Sequence, residues 1–235
     1  MTTIIGIKAE KGEQGIVLAS DLTGTHSRWT PQEDIAFRET FKSENQKIYV
    51  DDKRNFVMAM AGVRDEIYLE FLSEVLREEI DFKKYAEAGF FDPLLKLHIS
   101  RFDGRVWQSD LSNSLVIATR YEGVPKLYSC WPLGKIEEKV YAAIGSGSRH
   151  VYDLFSEQQR LTSKVISLKD AAELAIKGAE RASSTDLHSG GLDIVIVKGD
   201  KIEEYGPRIK AEMEQARQRV VTNIIAGLEK TVQLN

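Results

Sequence analysis

The chain opens with the stretch TIIGIKAEKGEQGIVLAS at residues 3–20. Two runs rich in β-branched and apolar residues, 3–8 and 15–20, flank the polar segment 10–15, whose glycines permit a turn. This pattern predicts a β-hairpin, so the fold begins with sheet.

Strand and helix patterns then follow one another in blocks. This clustering predicts a single layered α+β domain over residues 1–235, with two antiparallel sheets between helical layers, and it disfavours a doubly wound sheet. Residues 167–170 resemble a capping box at the start of an alanine-rich helix. The further predicted elements are strands at 47–50 and 56–61, helices at 65–80 and 93–102, strands at 114–119, 126–130 and 139–143, helices at 148–156 and 168–183, strands at 192–197 and 201–204, and a terminal helix at 207–228.

Composition and charge argue against several classes of function. The chain has 32 basic and 36 acidic residues, so no cationic excess is present to bind nucleic acid. Cys130 is the only cysteine and the four histidines are scattered, so we expect no disulfide, no structural metal and no cofactor. No stretch approaches the roughly 20 apolar residues that span a bilayer, and the start lacks a signal-peptide pattern. We therefore expect a cytoplasmic protein without a membrane partner.

The first two residues suggest a specific kind of nucleophile. Removal of Met1 would leave Thr2 with a free α-amine beside its own hydroxyl. A threonine hydroxyl needs an adjacent base, and an α-amine, with an unperturbed pKa of about 7.7–8.0, can accept its proton. A lysine cation nearby would lower the pKa of that amine further. If Met1 were retained, the amine would be blocked and this chemistry would fail.

Four separated segments support the interpretation: TTIIGI at 2–7 with GIVLASD at 15–21, QKIYV at 46–50 with AMAG at 59–62, YAAIGSGS at 141–148, and TDLHSGG at 185–191. In this order they resemble the β subunits of the proteasome along nearly the whole chain. A GSGS or SGG fragment alone is typical of an ordinary loop, whereas the four together are specific. The resemblance implies a four-layer αββα sandwich of the N-terminal nucleophile hydrolase type.

The resemblance also implies a role for each matching residue. Thr2 would be nucleophile and base, Lys47 the cation that tunes it, and Asp21 the carboxylate that holds Lys47 charged and oriented. The N–H of Gly62 would form the oxyanion hole, where a backbone donor stabilises the reacting carbonyl by roughly 2.7–4 kcal/mol. The residues that would hold and polarise the threonine amine are Ser146, Asp186 and Ser189.

A substrate pocket is implied beside the nucleophile. Its expected residues, which indicate moderate size and some polar or charged character, are Thr25, Tyr49, Met60 and Arg64. The interval from Asp21 to Lys47 is longer than is usual in the family and contains aromatic and arginine residues. This insertion would shape substrate entry, contact a neighbouring subunit or pack against its own domain.

Three functions remain open at this point. The leading hypothesis is a threonine endopeptidase acting on peptides or unfolded proteins, within a homo-oligomeric ring that associates with related subunits or an unfolding ATPase. The second is a transpeptidase or protein ligase that passes the same Thr2 acyl group to an amine. The third is a structural ring subunit that is catalytically silent because Met1 is retained.

Overall fold

The computed structural model describes residues 3–24, 43–44, 47–51, 56–61, 82–90, 92, 114–131, 134–158, 165–185, 191–199 and 201–205. The strands within these ranges are β1 (Thr3–Ala9), β2 (Gly15–Ser20), β3 (Thr23–Gly24), β4 (Ser43–Glu44), β5 (Ile48–Asp51), β6 (Phe56–Ala61), β7 (Ser114–Tyr121), β8 (Val124–Cys130), β9 (Ile136–Glu138), β10 (Tyr141–Gly145), β11 (Asp193–Lys198) and β12 (Lys201–Glu204). The helices are α1 (Phe82–Ala88), α2 (Ser148–Glu157) and α3 (Leu168–Thr185).

The first sheet is built around the predicted opening hairpin. Its strand order is β10-β1-β2-β11-β12, and every neighbouring pair is antiparallel. Side chains alternate between the faces of a strand, and both faces of β2 are buried. Val17 and Ala19 pack towards helices α2 and α3, whereas Ile16 and Leu18 pack towards the second sheet. The hairpin is therefore apolar on both sides because it lies in the middle of a layered structure.

The second sheet has the order β5-β6-β7-β8-β9 and is also antiparallel. The turn between β7 and β8 consists of Glu122 and Gly123, whose φ angles of 51° and 80° are those of a type I′ turn. One face of this sheet packs against the first sheet. The opposite face contacts Tyr85 and Ala86 of α1.

Helix α3 begins with the predicted capping box. Ser167 Oγ accepts a hydrogen bond from the Asp170 backbone N–H over 3.2 Å, and Asp170 Oδ2 accepts the Ser167 hydroxyl over 2.7 Å. The buried face of α3 then packs on the first sheet through its small residues and Leu174. The cap fixes where the helix starts and hence which residues face the sheet.

The described elements form four layers: α2 and α3, the first sheet, the second sheet, and α1. The predicted α+β architecture with two antiparallel sheets is confirmed. The predicted strand at 139–143 is displaced to Tyr141–Gly145, and α1, β9 and the β3–β4 pair were not predicted. The helices predicted at 65–80, 93–102 and 207–228 lie outside the described residues.

The short strands β3 and β4 form a two-stranded antiparallel ribbon. Thr23 pairs with Glu44, and Gly24 pairs with Ser43. The chain positions that flank residues 25–42 therefore lie side by side, just after Asp21 and just before Lys47.

Candidate active site

Asp21 follows β2 and is bound to the start of β1. The backbone N–H of Thr3 donates a hydrogen bond to Asp21 Oδ1 over 2.6 Å. The backbone N–H of Asp21 donates in return to the Thr3 carbonyl over 3.1 Å. Asp21 is only 1% exposed, so its carboxylate and the first residue of β1 are held in one fixed arrangement.

Lys47 reaches the same carboxylate from the second sheet. It immediately precedes β5, and its carbonyl accepts a hydrogen bond from the Met60 N–H over 3.2 Å. Its Nζ lies 2.8 Å from Asp21 Oδ1, and the exposed fractions of the two side chains are 8% and 1%. The structure therefore brings together two of the predicted catalytic residues, and their ion pair links the two sheets.

Opposing electrostatic effects act on this pair. Burial raises the pKa of the Asp21 carboxyl, while the Lys47 ammonium and the Thr3 N–H act in the opposite direction. Asp21 Oδ2 is buried and has no hydrogen-bond partner among the described residues. Since removing charges from water is costly, such a pair is weak support for stability. Ionisable groups with perturbed pKa values cluster at functional sites, so the pair marks this position as a candidate site.

The turn after β10 passes the other side of Thr3. Gly145, the last residue of β10, pairs with Thr3. Ser146 comes next and is exposed, whereas Gly147 is buried and forms the N-cap of α2. A Cβ atom added to Gly147 would lie 2.1 Å from Thr3 Oγ1. Ser146 is therefore carried by a turn that lies in close contact with the first residue of β1.

Two of the predicted pocket residues lie on one face of the second sheet. Tyr49 pairs with Met58 across β5 and β6, and Met60 lies two residues further along β6. All three contribute to the apolar cluster that α1 contacts. Met60 is buried at 6% exposure, and Tyr49 is partly exposed. Lys47 lies opposite Met60, so this apolar face begins beside the ion pair.

The other predicted site residues lie outside the described residues: Thr2, Thr25, Gly62, Arg64, Asp186 and Ser189. The described chain nevertheless reaches the neighbours of three of them. Thr3 begins β1 after Thr2, Ala61 ends β6 before Gly62, and Thr185 ends α3 before Asp186.

Two contributors to the site were missed by sequence reasoning. Thr3 acts through its backbone N–H, a group that every residue except proline possesses and that leaves no sequence pattern. Gly147 falls within the quoted segment YAAIGSGS, but its contact with Thr3 joins distant parts of the chain. The resemblance could mark this segment, but only the packing shows which of its atoms contact Thr3.

In the described part of the chain, no group of three or more His, Cys, Asp or Glu side chains is arranged to hold a metal ion. The helices in the same ranges are too short or too polar for any of them to cross a membrane.

Known proteins similar to this chain share one family. A family model described as "Proteasome subunit" matches residues 2–197. Proteasome subunit beta 2 of Aeropyrum pernix is 30% identical over 206 residues, covering 86% of this chain and 84% of that protein. Proteasome subunit beta 1 of Hyperthermus butylicus is 30% identical over 160 residues, covering 67% and 74%. Proteasome subunit alpha of Methanobrevibacter smithii is 27% identical over 202 residues, covering 84% and 73%.

The family match spans most of the chain and includes both residues of the buried ion pair. The chain therefore belongs to the proteasome subunit family. Its two antiparallel sheets with flanking helices are the architecture that the resemblance implied. At the level of the family, it is a proteasome-type protease or a structural subunit.

Proposed function

We propose that this chain is a threonine endopeptidase for peptides or unfolded proteins, with Thr2 as its nucleophile after removal of Met1. The observation that carries the proposal is the buried Lys47–Asp21 ion pair, in which Asp21 also binds the N–H of Thr3. Thr3 is bonded directly to Thr2. The ion pair is thus tied to the residue adjoining the candidate nucleophile.

The ion pair fits the needs of a threonine that serves as its own base. Its α-amine must be neutral to accept the hydroxyl proton. A lysine cation beside it disfavours the protonated amine and lowers the pKa of that amine. Asp21 keeps Lys47 charged and oriented at 2.8 Å. These contacts support the tuning role proposed for Lys47.

The proposed reaction proceeds in two steps. In the first, Thr2 Oγ bonds to the substrate carbonyl carbon, the hydroxyl proton passes to the α-amine and then to the leaving nitrogen, and the C–N bond breaks. In the second, a water oxygen bonds to the ester carbon, its proton passes through the α-amine to Oγ, and the ester C–O bond breaks. The free enzyme and a carboxylic acid result, without any redox change.

Other residues are assigned by the family pattern. The Gly62 N–H would donate to the developing oxyanion, and a glycine there allows the substrate backbone to approach closely. Ser146, Asp186 and Ser189 would hold the threonine amine. Ser146 lies in the turn that contacts Thr3 through Gly147, which supports its assignment.

The substrate side chain would enter the pocket beside Lys47. Tyr49 and Met60 contribute an apolar wall with one phenolic group, and they share a face of the second sheet. Thr25 and Arg64 complete the proposed lining. This composition fits substrate side chains of moderate size and gives the pocket some polar or charged character.

We further propose that the active chain works within a ring of like or related subunits. Relatives named as proteasome beta and alpha subunits match this chain over most of its length. A ring that encloses the nucleophiles would restrict cleavage to chains that are already unfolded. Association with an unfolding ATPase belongs to the same proposal.

A second candidate function is a structural subunit without catalysis. It is favoured by one observation, the 27% identity to a proteasome subunit alpha. In that case Thr2 would remain blocked by Met1, and the buried ion pair would serve folding alone.

Intact-mass spectrometry with an epoxyketone or β-lactone probe tests the proposal. The purified protein and a Thr2→Ala control would be weighed before and after incubation with the probe. We expect loss of Met1 and one adduct, absent from the control. Retention of Met1 with no adduct would refute the peptidase and favour the structural subunit.

A further inference from the structure

Gly147 packs tightly against Thr3, the residue that follows the proposed nucleophile in the sequence. It is buried between the end of β10 and the start of α2. A Cβ atom placed on it would lie 2.1 Å from Thr3 Oγ1, 3.3 Å from Thr3 Cβ and 3.0 Å from Ala182 Cβ. No side chain fits there unless Thr3 or α3 moves.

The backbone itself does not require glycine at this position. The φ and ψ angles of Gly147 are −82° and −3°, which any L-amino acid can adopt. Gly145, two residues earlier, differs because its φ is 91°. Space, rather than backbone conformation, therefore excludes a side chain at Gly147.

The backbone of Gly147 is held in place by its surroundings. Its carbonyl accepts the His150 N–H over 3.1 Å in the first turn of α2. Val151 in the same turn and Ala182 on α3 are fully buried. Packed interiors transmit strain because they contain little free volume. A methyl group on Gly147 would thus act mainly on Thr3.

Displacement of Thr3 would reach the reacting groups by two routes. Thr3 is bonded to Thr2, and its N–H and carbonyl are both bonded to Asp21. Asp21 in turn holds Lys47. Threonine is restricted at χ1 by its branched Cβ, so its hydroxyl has few ways to turn aside.

We propose that Gly147 is a positioning residue. Because it has no side chain, the turn after β10 can lie against Thr3 and hold it in place beside Asp21. This role rests on the proposed reaction at Thr2. It acts on the placement of the nucleophile and not on the substrate pocket, which lies across the ion pair on the second sheet. Substitution of Gly147 should therefore slow bond formation by the nucleophile and leave the binding of substrate or probe intact.

The test is the rate of covalent labelling of the full chain by the epoxyketone probe. For Gly147→Ala we expect the maximal labelling rate to fall about 10- to 100-fold, as a displacement of about 1 Å can cause. The probe concentration at half-maximal rate should change less than about twofold. Loss of stability alone would act in the opposite way, because a partly unfolded population raises the half-maximal probe concentration and leaves the maximal rate unchanged.

Gly15→Ala is the matched control. Its new Cβ would lie 2.7 Å from the Val197 carbonyl oxygen, which is also too close for an unshifted side chain, and Gly15 lies at the opposite end of β1 and β2. Overpacking should lower the Tm of both variants by about 2–12 °C. Only Gly147→Ala should lose labelling rate.

Removing the contacted hydroxyl supplies the rescue. In a Thr3→Ala background, Gly147→Ala should change the labelling rate less than about threefold, because the Oγ1 atom with which the new Cβ would clash is gone. If Gly147→Ala alone does not fold, Gly147→Ala in a Thr3→Ser background replaces it, since serine turns more freely, and a rate below that of Thr3→Ser is expected.

The outcomes separate the two proposals. A labelled wild-type protein with equal rates in Gly147→Ala and Gly15→Ala would overturn the positioning role alone. If Gly147→Ala lowered the labelling rate equally in the wild-type and Thr3→Ala backgrounds, the positioning role would also be overturned. A wild-type protein that is not labelled at all would refute the peptidase, and the positioning role with it.

Discussion

Asp21 and Lys47 form an ion pair that is almost completely removed from water. Breaking such a pair by deleting one partner leaves an uncompensated buried charge, which costs about 3–5 kcal/mol, whereas replacing both partners is often nearly neutral. Stability and activity should therefore respond differently to single and double substitution at this site.

Single and double substitution of the ion pair should separate its effect on stability from its effect on activity. Lys47→Met should lower the free energy of unfolding by about 3–5 kcal/mol, and the double variant Asp21→Asn/Lys47→Met should recover most of it. Both should lose about 10²–10⁴-fold in peptidase activity, because the base is no longer tuned. Urea denaturation and peptide turnover measure the two effects. Recovery of activity in the double variant would contradict the proposed role of Lys47.

The stability of the Lys47→Met variant should depend on pH in a direction that follows from the Asp21 pKa. Burial already raises the pKa of the Asp21 carboxyl, and loss of Lys47 removes an opposing effect, so the pKa should rise further. Protonation then neutralises the unpaired carboxylate. The stability deficit of Lys47→Met should be largest at neutral pH and shrink as the pH falls through that raised pKa. Urea titrations from neutral to acid pH check this trend.

Cys130 is a second residue whose behaviour follows from its position. It lies on β8 with no exposed surface, and burial raises the pKa of its thiol. Since the thiolate is the reactive form, a disulfide reagent at pH 8 should label the native protein far more slowly than the unfolded protein. Cys130 is the only cysteine, so the reading is unambiguous, and rapid labelling without denaturant would argue against this packing.

At the scale of elements, the N-terminal cap at Ser167 fixes where helix α3 begins. Ser167→Ala removes the hydroxyl that accepts the Asp170 N–H and should cost about 0.5–2 kcal/mol. Ser184→Ala is the control on the same helix, because that hydroxyl donates only to the Arg181 carbonyl nearby. Urea denaturation of both variants measures the difference. An equal loss in the two would show that the cap contributes little.

The β7–β8 turn places a non-glycine residue in the left-handed region. Glu122 has φ of 51°, a conformation that costs most residues roughly 1–2 kcal/mol. Asparagine tolerates it and is preferred in type I′ turns, so Glu122→Asn should raise the stability by about 0.5–1 kcal/mol. Glu122→Val should lower it, and thermal unfolding of the two variants provides the comparison.

Elements with strong local patterns could be predicted from the sequence, and the others could not. The two strands of the opening hairpin are runs of apolar and β-branched residues, and Ser167 with Asp170 forms a recognisable helix cap. Strand β9, in contrast, reads Ile-Glu-Glu and is extended because it pairs with β8, with Lys126 bound to Glu138. Its conformation is set by tertiary contacts, which no short window of sequence contains.

The same limit applies to the site. Asp21 and Lys47 were predicted to interact because their segments resemble a family, whereas seen singly each residue would be unremarkable. Their 2.8 Å contact depends on the stacking of two sheets. The roles of Thr3 and Gly147 depend on a backbone bond and a missing side chain, and neither leaves a pattern of residue types.

At the scale of the whole molecule, the separation of the two sheets is set partly by Gly6. A Cβ atom there would lie 2.8 Å from Leu127 Cδ1 and 2.9 Å from Val116 Cγ1, both on the second sheet. At this position β1 packs against side chains of the second sheet with no room for a side chain of its own.

Gly6→Ala should therefore destabilise the protein by about 1–3 kcal/mol through overpacking. Adding Leu127→Val shortens the nearest side chain and should recover part of the loss. Urea denaturation of the single and double variants checks this expectation. Strictly additive losses would mean that the two positions do not compete for the same space.

The β3–β4 ribbon also has a consequence for how this chain can diversify. Because Gly24 and Ser43 pair directly, the chain positions on either side of residues 25–42 are fixed next to each other. The entropic cost of closing a flexible segment between two fixed points grows by only about 0.6 kcal/mol for each doubling of its length. Insertions between Gly24 and Ser43 should therefore cost little stability and leave the Asp21–Lys47 ion pair in place. The ribbon is thus a place where evolution or protein design can vary the length of the chain next to the buried ion pair.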